Sequence, residues 1–417
     1  MSQSRTPAND ASNARDTQNR TAGVRKRIPT HDNAAMLTLP PLALYIHIPW
    51  CVRKCPYCDF NSHGQKGELP QRDYVAALLA DLDQDLPLVW GRPVTSVFFG
   101  GGTPSLFDAA HIGAILDGFA ARLKFAPGLE VTLETNPGTV EHDRFESYLA
   151  AGVNRLSFGV QSFDNGCLER LGRIHDAQQA QHAVKLAQDA GFANINLDLM
   201  YALPQQTLAM ALHDLERAFA LQPTHLSHYQ LTLEPNTIFA AKPPQGIPDD
   251  DASWEMQEAC QALLAERGFH QYEVSAYARE GRQCAHNLNY WRFGDYLGIG
   301  AGAHGKITLP AEQNILRRWK IKHPTAYLAN AASAARIGGD DFISDASRPF
   351  EFMLNALRVN AGFDLAMFVA RTGLPASALE PTLSQLQVKG LLQRDENHIA
   401  PTELGRRFLN DVMTAFL

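Results

Sequence analysis

The chain has 417 residues, of which 45% are hydrophobic and 19% are charged, and its formal net charge is −7. This length exceeds what one hydrophobic core usually serves, so we expect one large domain and a smaller one. The negative charge leaves no basic surface for nucleic acid or an anionic membrane, and no run of about 18 apolar residues could span a bilayer. We therefore expect a globular protein that binds neither nucleic acid nor membrane.

Residues 1–41 are predicted to form a disordered tail. They are rich in Ser, Asn, Thr, Ala and Arg and poor in large apolar side chains, so they cannot bury enough surface to offset the entropy of ordering. They lack the apolar segment of a signal peptide, and Asp10, Asp16 and Asp32 are unlike the acid-free composition of a transit peptide. We therefore expect no targeting segment and a cytoplasmic protein.

From Leu42 onward, short β-branched or aromatic runs alternate with longer stretches compatible with helices, such as Asp73–Leu86 and Asp176–Ala190. This alternation is typical of a parallel α/β sheet, which can be open, a partial barrel or a closed barrel. In each of these folds, ligands collect at the carboxyl ends of the strands, so polar residues at those ends predict one shared site. The predicted strands are Leu42–Ile48, Val94–Phe99, Glu130–Thr135, Arg155–Gln161, Asn194–Tyr201 and His225–Leu233.

The pattern changes after residue 310. Residues 311–347, with the small-residue stretch Asn330–Gly339, are predicted as a linker region. Residues 348–417 then form a small domain that is similar to a winged helix, with helices Arg348–Arg358, Asp364–Thr372 and Ala378–Lys389, a hairpin, and a last helix from Thr402. Seven Lys/Arg oppose seven Asp/Glu in this domain, which argues against DNA binding because a DNA reader needs a basic face.

Three cysteines, Cys51, Cys55 and Cys58, directly follow the first predicted strand, while Cys167, Cys260 and Cys284 are scattered. This clustering favours a metal site in a reducing compartment over a disulfide framework. Thiolates suit iron–sulfur clusters, and three of them leave one iron of a four-iron cubane open to a non-protein ligand. A structural zinc site would need a fourth ligand, for which His47 or Asp59 is available.

The spacing Cys-x3-Cys-x2-Cys, with Tyr57 before the last cysteine, resembles the signature of radical S-adenosylmethionine (SAM) proteins. The resemblance implies a [4Fe-4S] cluster on Cys51, Cys55 and Cys58, whose open iron is chelated by the amino and carboxylate groups of SAM. The protein then binds and orients the cofactors and excludes water, since the radical chemistry belongs to them. The open-iron interpretation is favoured over zinc because it also explains motifs at the other strand ends.

Polar and glycine residues follow the later strands, and residues 42–310 resemble the oxygen-independent coproporphyrinogen III oxidase branch of this superfamily. That resemblance implies a partial (β/α)6 barrel. Consecutive glycines let backbone groups approach a ligand closely, an arginine can hold a carboxylate, and a carboxylate can bridge ribose hydroxyls. By resemblance, the SAM-binding residues are Tyr45 beside the cluster; Gly101, Gly102 and Thr103 at the amino group; Glu134, Gln161 and Asp198 at the nucleoside; and Arg173 at the carboxylate.

Within this branch the oxidases carry a further cysteine, where this chain has Phe60. The ending Cys-Asp-Phe resembles that of the HemW-type heme chaperones, as does the segment from His286 to Tyr290. A neutral imidazole is a good axial ligand for heme iron, and tyrosine offers flat apolar area to a porphyrin. We therefore assign His286 and Tyr290 to heme, keep His304 as a spare ligand candidate, and interpret His47 as strand packing.

The favoured hypothesis is a heme chaperone that carries the cluster and SAM and transfers heme to acceptor proteins such as respiratory hemoproteins. The cluster and SAM would then control transfer or the formation of a homodimer. The alternative is an enzyme, an oxygen-independent coproporphyrinogen III oxidase that abstracts hydrogen from propionate side chains. The two hypotheses differ in whether heme binds and whether coproporphyrinogen III is converted.

Overall fold

A computed structural model describes residues 36–139 and 142–417. Within these residues, twelve strands form one sheet in the order β12-β11-β10-β9-β1-β2-β3-β4-β5-β6-β8-β7. The strands are β1 (Leu42–Ile48), β2 (Pro93–Gly101), β3 (Lys124–Thr135), β4 (Arg155–Gln161), β5 (Ile195–Tyr201), β6 (His225–Gln230), β7 (His270–Glu273), β8 (Ala276–Ala278), β9 (Asp295–Ile299), β10 (His304–Leu309), β11 (Asn314–Lys320) and β12 (Ile337–Phe342).

Strands β1 to β6 pair in parallel, as the sequence predicts, and their bounds agree with the predicted strands to within a few residues except at the start of β3 and the end of β6. A further parallel strand, β9, pairs with the other side of β1. The sequence does not predict β9 as a strand, because Gly298 interrupts its short apolar run. The remaining strands pair antiparallel and extend the two edges of the sheet.

Helices connect the parallel strands and cover the sheet. In the first domain they are α1 (Gln71–Val89), α2 (Ala109–Ala120), α3 (His142–Ala150), α4 (Asn165–Arg170), α5 (Ala177–Asp189), α6 (Leu208–Ala220), α7 (Ile238–Ala241), α8 (Asp250–Glu266), α9 (Ala285–Trp291) and α10 (Pro324–Asn330). The start of α5 is fixed by a capping box, in which Asp176 accepts from the backbone of Gln179 and the Gln179 side chain accepts from the backbone of Asp176. Among the described residues, none of the helices is long and apolar enough to cross a membrane.

The main core lies between the parallel strands and these helices. Leu44, Val97, Leu133, Leu156 and Leu197 come from five adjacent strands and are fully buried or nearly so. Burial of each such side chain stabilises the fold by about 1.5–3 kcal/mol relative to exposure. The sheet is therefore a rigid support for the polar residues at the carboxyl ends of its strands.

Residues 311–347, predicted as a linker region, contain β11, α10 and β12, all of which belong to the edge of the sheet. At the start of the described chain, residues 36–41 fall within the predicted tail, yet Leu37 is buried and the backbone N–H of Thr38 donates to Ala370 O. The rest of that tail, residues 1–35, lies outside the described residues. The domain limits drawn from the sequence stay predictions.

A buried network of charges ties α1 to this edge. Asp81 and Asp85 of α1 are fully buried, and both accept hydrogen bonds from Lys320 of β11 and from Arg336. Tyr327 of α10 also donates to Asp81, at 2.7 Å. Buried charges are stable only when paired in this way, so the first helix depends on residues more than 230 positions later in the chain.

The C-terminal module contains α11 (Arg348–Ala356), α12 (Leu365–Thr372), α13 (Thr382–Val388), α14 (Glu403–Arg407) and α15 (Leu409–Thr414). A small sheet in the order β13-β15-β14 joins them, with β13 (Phe363–Asp364), β14 (Leu392–Asp395) and β15 (His398–Pro401). The predicted hairpin is present, and Thr402 caps α14 by accepting from Gly405 N. The predicted helix Ala378–Lys389 is wrong in its first part, where Pro381 separates a 3-10 turn from α13.

Candidate functional site

A short loop after β1 carries the three clustered cysteines. Trp50–Cys51 pairs in parallel with His63–Gly64, which closes the loop at its base. The backbone N–H of His63 donates to Pro49 O at 2.7 Å, and that of Gln65 donates to Cys51 O at 2.8 Å. Cys51, Cys55 and Cys58 all line one cavity, and none of the three forms a disulfide.

Each thiol in this loop has a polar neighbour. The hydroxyls of Thr103 and Ser62 hydrogen-bond the Cys51 thiol, and Ser62 Oγ lies 3.9 Å from Cys58 Sγ. Arg173 Nη1 lies 3.5 Å from Cys55 Sγ, and Arg173 Nη2 donates to Gly159 O at 2.5 Å. Burial raises the pKa of Cys51 and of Cys58, the neighbouring hydroxyls oppose this effect, and Arg173 places a positive charge beside the Cys55 sulfur.

The glycines at the end of β2 bring the backbone against the cysteine loop. Gly102 N donates to Ile48 O at 2.8 Å, and Thr103 N donates to Trp50 O at 2.7 Å. Gly101 has φ +116°, and a Cβ placed there would lie 2.5 Å from the His47 ring. Only glycine fits this position, because both the conformation and the space exclude a side chain.

Glu134, at the end of β3, lies beside these glycines. Its Oε2 accepts from Gly101 N at 3.3 Å. Burial raises the pKa of Glu134 to about 8, with a smaller contribution from the nearby carboxylate of Asp198, while the Gly101 hydrogen bond lowers it. The carboxyl group is therefore mostly protonated at pH 7 and half-ionised near pH 8.

The remaining predicted SAM residues converge on the same cavity. Gln161 ends β4 with φ +72°, a strained conformation, and its Oε1 accepts from the Tyr229 hydroxyl at 3.1 Å. Asp198 of β5 accepts from Ser157 Oγ at 3.2 Å and from Asn196 Nδ2 at 2.8 Å. Of the predicted set, only Tyr45 does not line this cavity; it lines the neighbouring one.

That second cavity is much wider, with a volume of about 990 Å³ against about 150 Å³ for the first. The two cavities share part of their walls at Phe60, Gly101 and Glu134. The wide cavity has aromatic side chains and imidazoles on its surface, namely Tyr45, Phe60, Tyr290, Trp291, Tyr296, His47, His63 and His304. It lies at the upper end of the range of about 300–1,000 Å³ in which proteins hold small-molecule ligands.

The residues predicted to bind heme occupy different positions. Tyr290 and His304 line the wide cavity, whereas His286 is 1% exposed and does not line it. His286 Nδ1 lies 2.9 Å from Ser96 Oγ, its Nε2 lies 3.1 Å from the Tyr290 hydroxyl, and its ring stacks on Phe98. Burial, assisted by the charge of Arg155, lowers the pKa of His286 to about 3.

His47, interpreted from the sequence as strand packing, is buried and also reaches the cavity wall. Its Nδ1 lies 3.0 Å from the Tyr45 hydroxyl and its Nε2 lies 2.8 Å from Asn61 O. Burial lowers the pKa of His47 to about 4, although the Asn61 hydrogen bond opposes this, and the nearby imidazoles of His63 and His304 lower it further. His47 is therefore neutral at pH 7 and fully engaged within the protein.

Tyr229, His63 and Tyr296 are among the site residues that escaped the sequence analysis. Tyr229 stands near the end of β6 and could have been found as one more polar residue at a strand end. His63 follows the cysteine loop closely, but nothing in its spacing marks it. Tyr296 belongs to β9, which the sequence does not predict as a strand.

The side-chain chemistry of the first cavity fits the cofactors that the cysteine spacing implies, whereas its volume of about 150 Å³ is below the usual range for small-molecule ligands. Three thiols can each bind one iron of a cubane, and the carboxyl, amide and guanidinium groups opposite them suit the charged and polar parts of SAM. Arg173 Nε and Thr135 Oγ1 are buried there without a hydrogen-bond partner among the described residues. Unsatisfied buried donors of this kind are expected where a polar ligand completes the site. Within the same described residues, no three His, Cys, Asp or Glu side chains are arranged around one metal ion.

Comparison with known families places both parts of the chain. The Radical SAM superfamily profile matches residues 45–218, and the HemN C-terminal domain profile matches residues 343–408. Coproporphyrinogen III oxidase (HemN) from Escherichia coli, a radical SAM enzyme, superposes with a TM-score of 0.76 over 91% of this chain and 90% of its own, at 24% identity. The fold and the cysteine loop thus define a radical SAM protein, as predicted, whose family implies a [4Fe-4S] cluster and SAM.

Two relatives are more similar in sequence. The heme chaperone HemW of Escherichia coli (strain K12) is 50% identical over 382 residues, which cover 92% of this chain and all of the relative. That of Haemophilus influenzae is 48% identical over 386 residues, covering 92% of this chain and 99% of the relative. The chain belongs to the HemW family.

Proposed function

We propose that the chain binds heme and transfers it to acceptor proteins, as a heme chaperone that carries a [4Fe-4S] cluster and SAM. The observation that carries this proposal is the wide, aromatic cavity that shares Phe60, Gly101 and Glu134 with the thiol-lined cavity. A porphyrin needs flat apolar walls and an iron ligand, and the wide cavity offers tyrosines, a tryptophan and imidazoles. The names of the two HemW relatives support the same function.

The first cavity would hold the cofactors. Cys51, Cys55 and Cys58 would bind three irons and leave the fourth open to SAM, with Arg173 at the carboxylate of SAM. Gly101, Gly102 and Thr103 line the adjacent wall. The hydroxyl of Thr103 also hydrogen-bonds the Cys51 thiol and would thereby orient one ligand of the cluster. Bound SAM would supply a ligand to the open iron, while these residues fix its orientation.

The alternative, an oxygen-independent coproporphyrinogen III oxidase, has support from the likeness to HemN. That likeness is 24% in sequence and carries the fold alone. At the position of the further cysteine of the oxidases this chain has Phe60, which is 60% exposed and lines both cavities. Heme carriage is therefore the better supported function.

The same proposal includes the acceptors of heme, the compartment in which the protein acts and its oligomeric state. We expect the acceptors to be hemoproteins, such as those of respiration, and the site of action to be the cytoplasm, where the free thiols of the described residues stay reduced. We also expect a homodimer in one of the ligand states. The seven basic and seven acidic residues of the C-terminal module support the absence of nucleic acid binding.

The test is a heme titration beside an oxidase assay on protein reconstituted without oxygen. The expected result is one heme per chain, transfer of that heme to an added apo-hemoprotein, and no conversion of coproporphyrinogen III with SAM and a reductant. Conversion at a rate that matches a known oxidase under the same conditions would contradict the proposal. Absence of stoichiometric heme binding would contradict it as well.

A further inference from the structure

Three imidazoles line the wide cavity in the described part of the chain, and they differ in whether a ring nitrogen is free. His47 is excluded as an iron ligand, because Tyr45 and Asn61 occupy both of its nitrogens. His63 hydrogen-bonds the backbone of Lys322, and its Nε2 is shielded from solvent without a hydrogen-bond partner among the described residues. His63 is half-buried and engaged by this backbone contact, so it is less accessible to a ligand in the cavity than the exposed His304.

His304 differs from both. It is exposed, it lines the cavity, and no hydrogen bond to its ring nitrogens is present within residues 36–139 and 142–417. Partial burial, with the charges of Lys322 and Arg317, lowers the pKa of His304. The neutral imidazole, which is the form that binds iron, therefore dominates at pH 7.

The position of His304 is held rigidly. It is the first residue of β10 and pairs with Trp319 of β11, on whose ring it stacks with a centroid distance of 6.1 Å and an angle of 20°. A Cβ on Gly298 would lie 2.0 Å from His304 O. The backbone of His304 therefore packs closely against β9 as well as pairing with β11. A ligand on a strand, with its ring plane fixed by a neighbour, is the arrangement expected of a pre-organised site.

The same wall of the cavity carries positive charge that suits the propionate carboxylates of a heme. Lys54 and Lys322 both line the cavity, and Lys54 Nζ already donates to Phe60 O at 2.9 Å. Among the described residues, Lys322 Nζ makes no hydrogen bond and no ion pair, so it is free to pair with a propionate carboxylate. The aromatic surface of Tyr290, Trp291 and Tyr296 would then face the macrocycle.

We propose that heme lies in the wide cavity with His304 as an axial iron ligand and Lys322 at a propionate, an assignment that rests on the proposed heme-binding function. His286 would then support the cavity wall through Tyr290, at 3.1 Å, without touching iron. The prediction from the sequence that His286 binds heme stays a prediction. If His304 is the iron ligand, His304→Ala should lose the axial-ligand bands; if His286 is the ligand, His286→Ala should lose them.

The experiment compares heme with metal-free protoporphyrin IX in reconstituted full-length protein. His304→Ala should weaken heme binding about tenfold or more and change the heme absorption and resonance Raman bands that report axial ligation, since loss of a metal-site residue has effects of this size. It should leave protoporphyrin IX binding within about twofold, because no iron is present to be held. Free imidazole added to His304→Gly should restore the wild-type heme spectrum.

Two further variants test whether the effect of His304→Ala is specific to binding the heme iron. His270→Ala is the matched control, since His270 is also an exposed first residue of a strand, and it should bind heme as the wild type does. Lys322→Ala should weaken heme and protoporphyrin IX to the same extent and leave the axial-ligand bands unchanged, because both carry propionates.

The outcomes are distinguishable. If the wild type binds no heme, the proposed function itself fails. If the wild type binds heme and His304→Ala has the same affinity and spectrum, only the assignment of His304 is overturned. It is also overturned if His304→Ala loses heme and protoporphyrin IX equally, or if His63→Ala or His286→Ala alone removes the axial-ligand bands.

Discussion

The hydroxyl of Tyr290 lies 3.1 Å from Nε2 of His286, and this contact joins a buried imidazole to the wall of the wide cavity. With Ser96 at Nδ1 and Phe98 beneath the ring, His286 makes the contacts of a core residue. His286 thereby places the Tyr290 hydroxyl at the cavity wall.

The first prediction concerns stability. His286→Ala should lower the free energy of unfolding by about 2–4 kcal/mol, because it leaves a cavity beside Phe98 and removes partners from Ser96 and Tyr290. Because the pKa of His286 is lowered from 6.5 to about 3, the wild type should lose stability as the pH falls through this interval. Urea unfolding at several pH values measures both effects.

The control for this variant is His182→Ala on the exposed face of α5, which should change the free energy by less than about 0.5 kcal/mol. Equal unfolding free energies for His286→Ala and the wild type at neutral pH would contradict the core role.

The second prediction concerns Glu134. Its pKa is raised from 4.5 to about 8, so the folded protein retains a proton that the unfolded chain has released, and stability should fall as the pH rises between these values. Glu134→Gln removes this dependence, and its gain over the wild type should grow by about 1 kcal/mol per pH unit across the interval. The measurement is urea unfolding between pH 5 and pH 8.

Glu216→Gln is the control, since the Glu216 side chain is 43% exposed and its ion pair among the described residues is with Arg267 at the surface. The free energy of unfolding of Glu216→Gln should change with pH as that of the wild type does. If the free energy of unfolding of Glu134→Gln also changed with pH as that of the wild type does, the Glu134 carboxyl group would already be ionised at pH 5.

The third prediction concerns the cluster. Cys58→Ser, prepared without oxygen, should lose iron and labile sulfide, because two thiolates and a hydroxyl bind a cubane poorly. Cys260→Ser should retain both, since Cys260 is buried in the core against helices and strands and does not line the first cavity. Iron and sulfide analysis per chain, together with visible absorption, gives the answer. Wild-type protein that contained zinc in place of iron would contradict the assignment.

The fourth prediction concerns the shared wall of the two cavities. Phe60 is 60% exposed although it is large and apolar, and it lines both cavities. Phe60→Ser should weaken heme binding by about tenfold, which corresponds to the loss of about half of a buried aromatic contact. Trp90→Ser, at a position 77% exposed and remote from the cavities, should bind heme normally in the same titration. A Phe60→Ser variant with unchanged affinity would place the porphyrin away from this wall.

Local patterns explain why much of the first cavity could be predicted. Strands β1 and β4 have the predicted bounds because their sequences are typical of strands: β1 is almost wholly buried, and in β4 the apolar Leu156, Phe158 and Val160 alternate with polar residues and glycine. The polar residues at the strand ends converge because parallel strands share one carboxyl edge. The cysteine loop is likewise local, so its spacing alone predicts the three sulfur ligands.

The wide cavity could not be predicted in the same way, because it depends on contacts between distant segments. His286 is buried by Ser96 and Phe98, which lie about 190 positions earlier, and nothing near it in the sequence indicates this. His304 faces the cavity because β10 pairs with β11 at the edge of the sheet, in and beside the region predicted as a linker. The sequence marks the two histidines as candidates; of the two, His304 lines the wide cavity and His286 does not.

The pairing of Asp81 and Asp85 with Lys320 and Arg336 has a consequence for synthesis of the protein. When α1 leaves the ribosome, its two carboxylates have no cations, and these arrive only after some 235–255 further residues have been translated. Until then, docking α1 on the sheet would bury unpaired charge, which is strongly unfavourable. A nascent chain that stops before β11 therefore cannot form this network, and α1 is expected to dock stably on the sheet only after Arg336 has been synthesised.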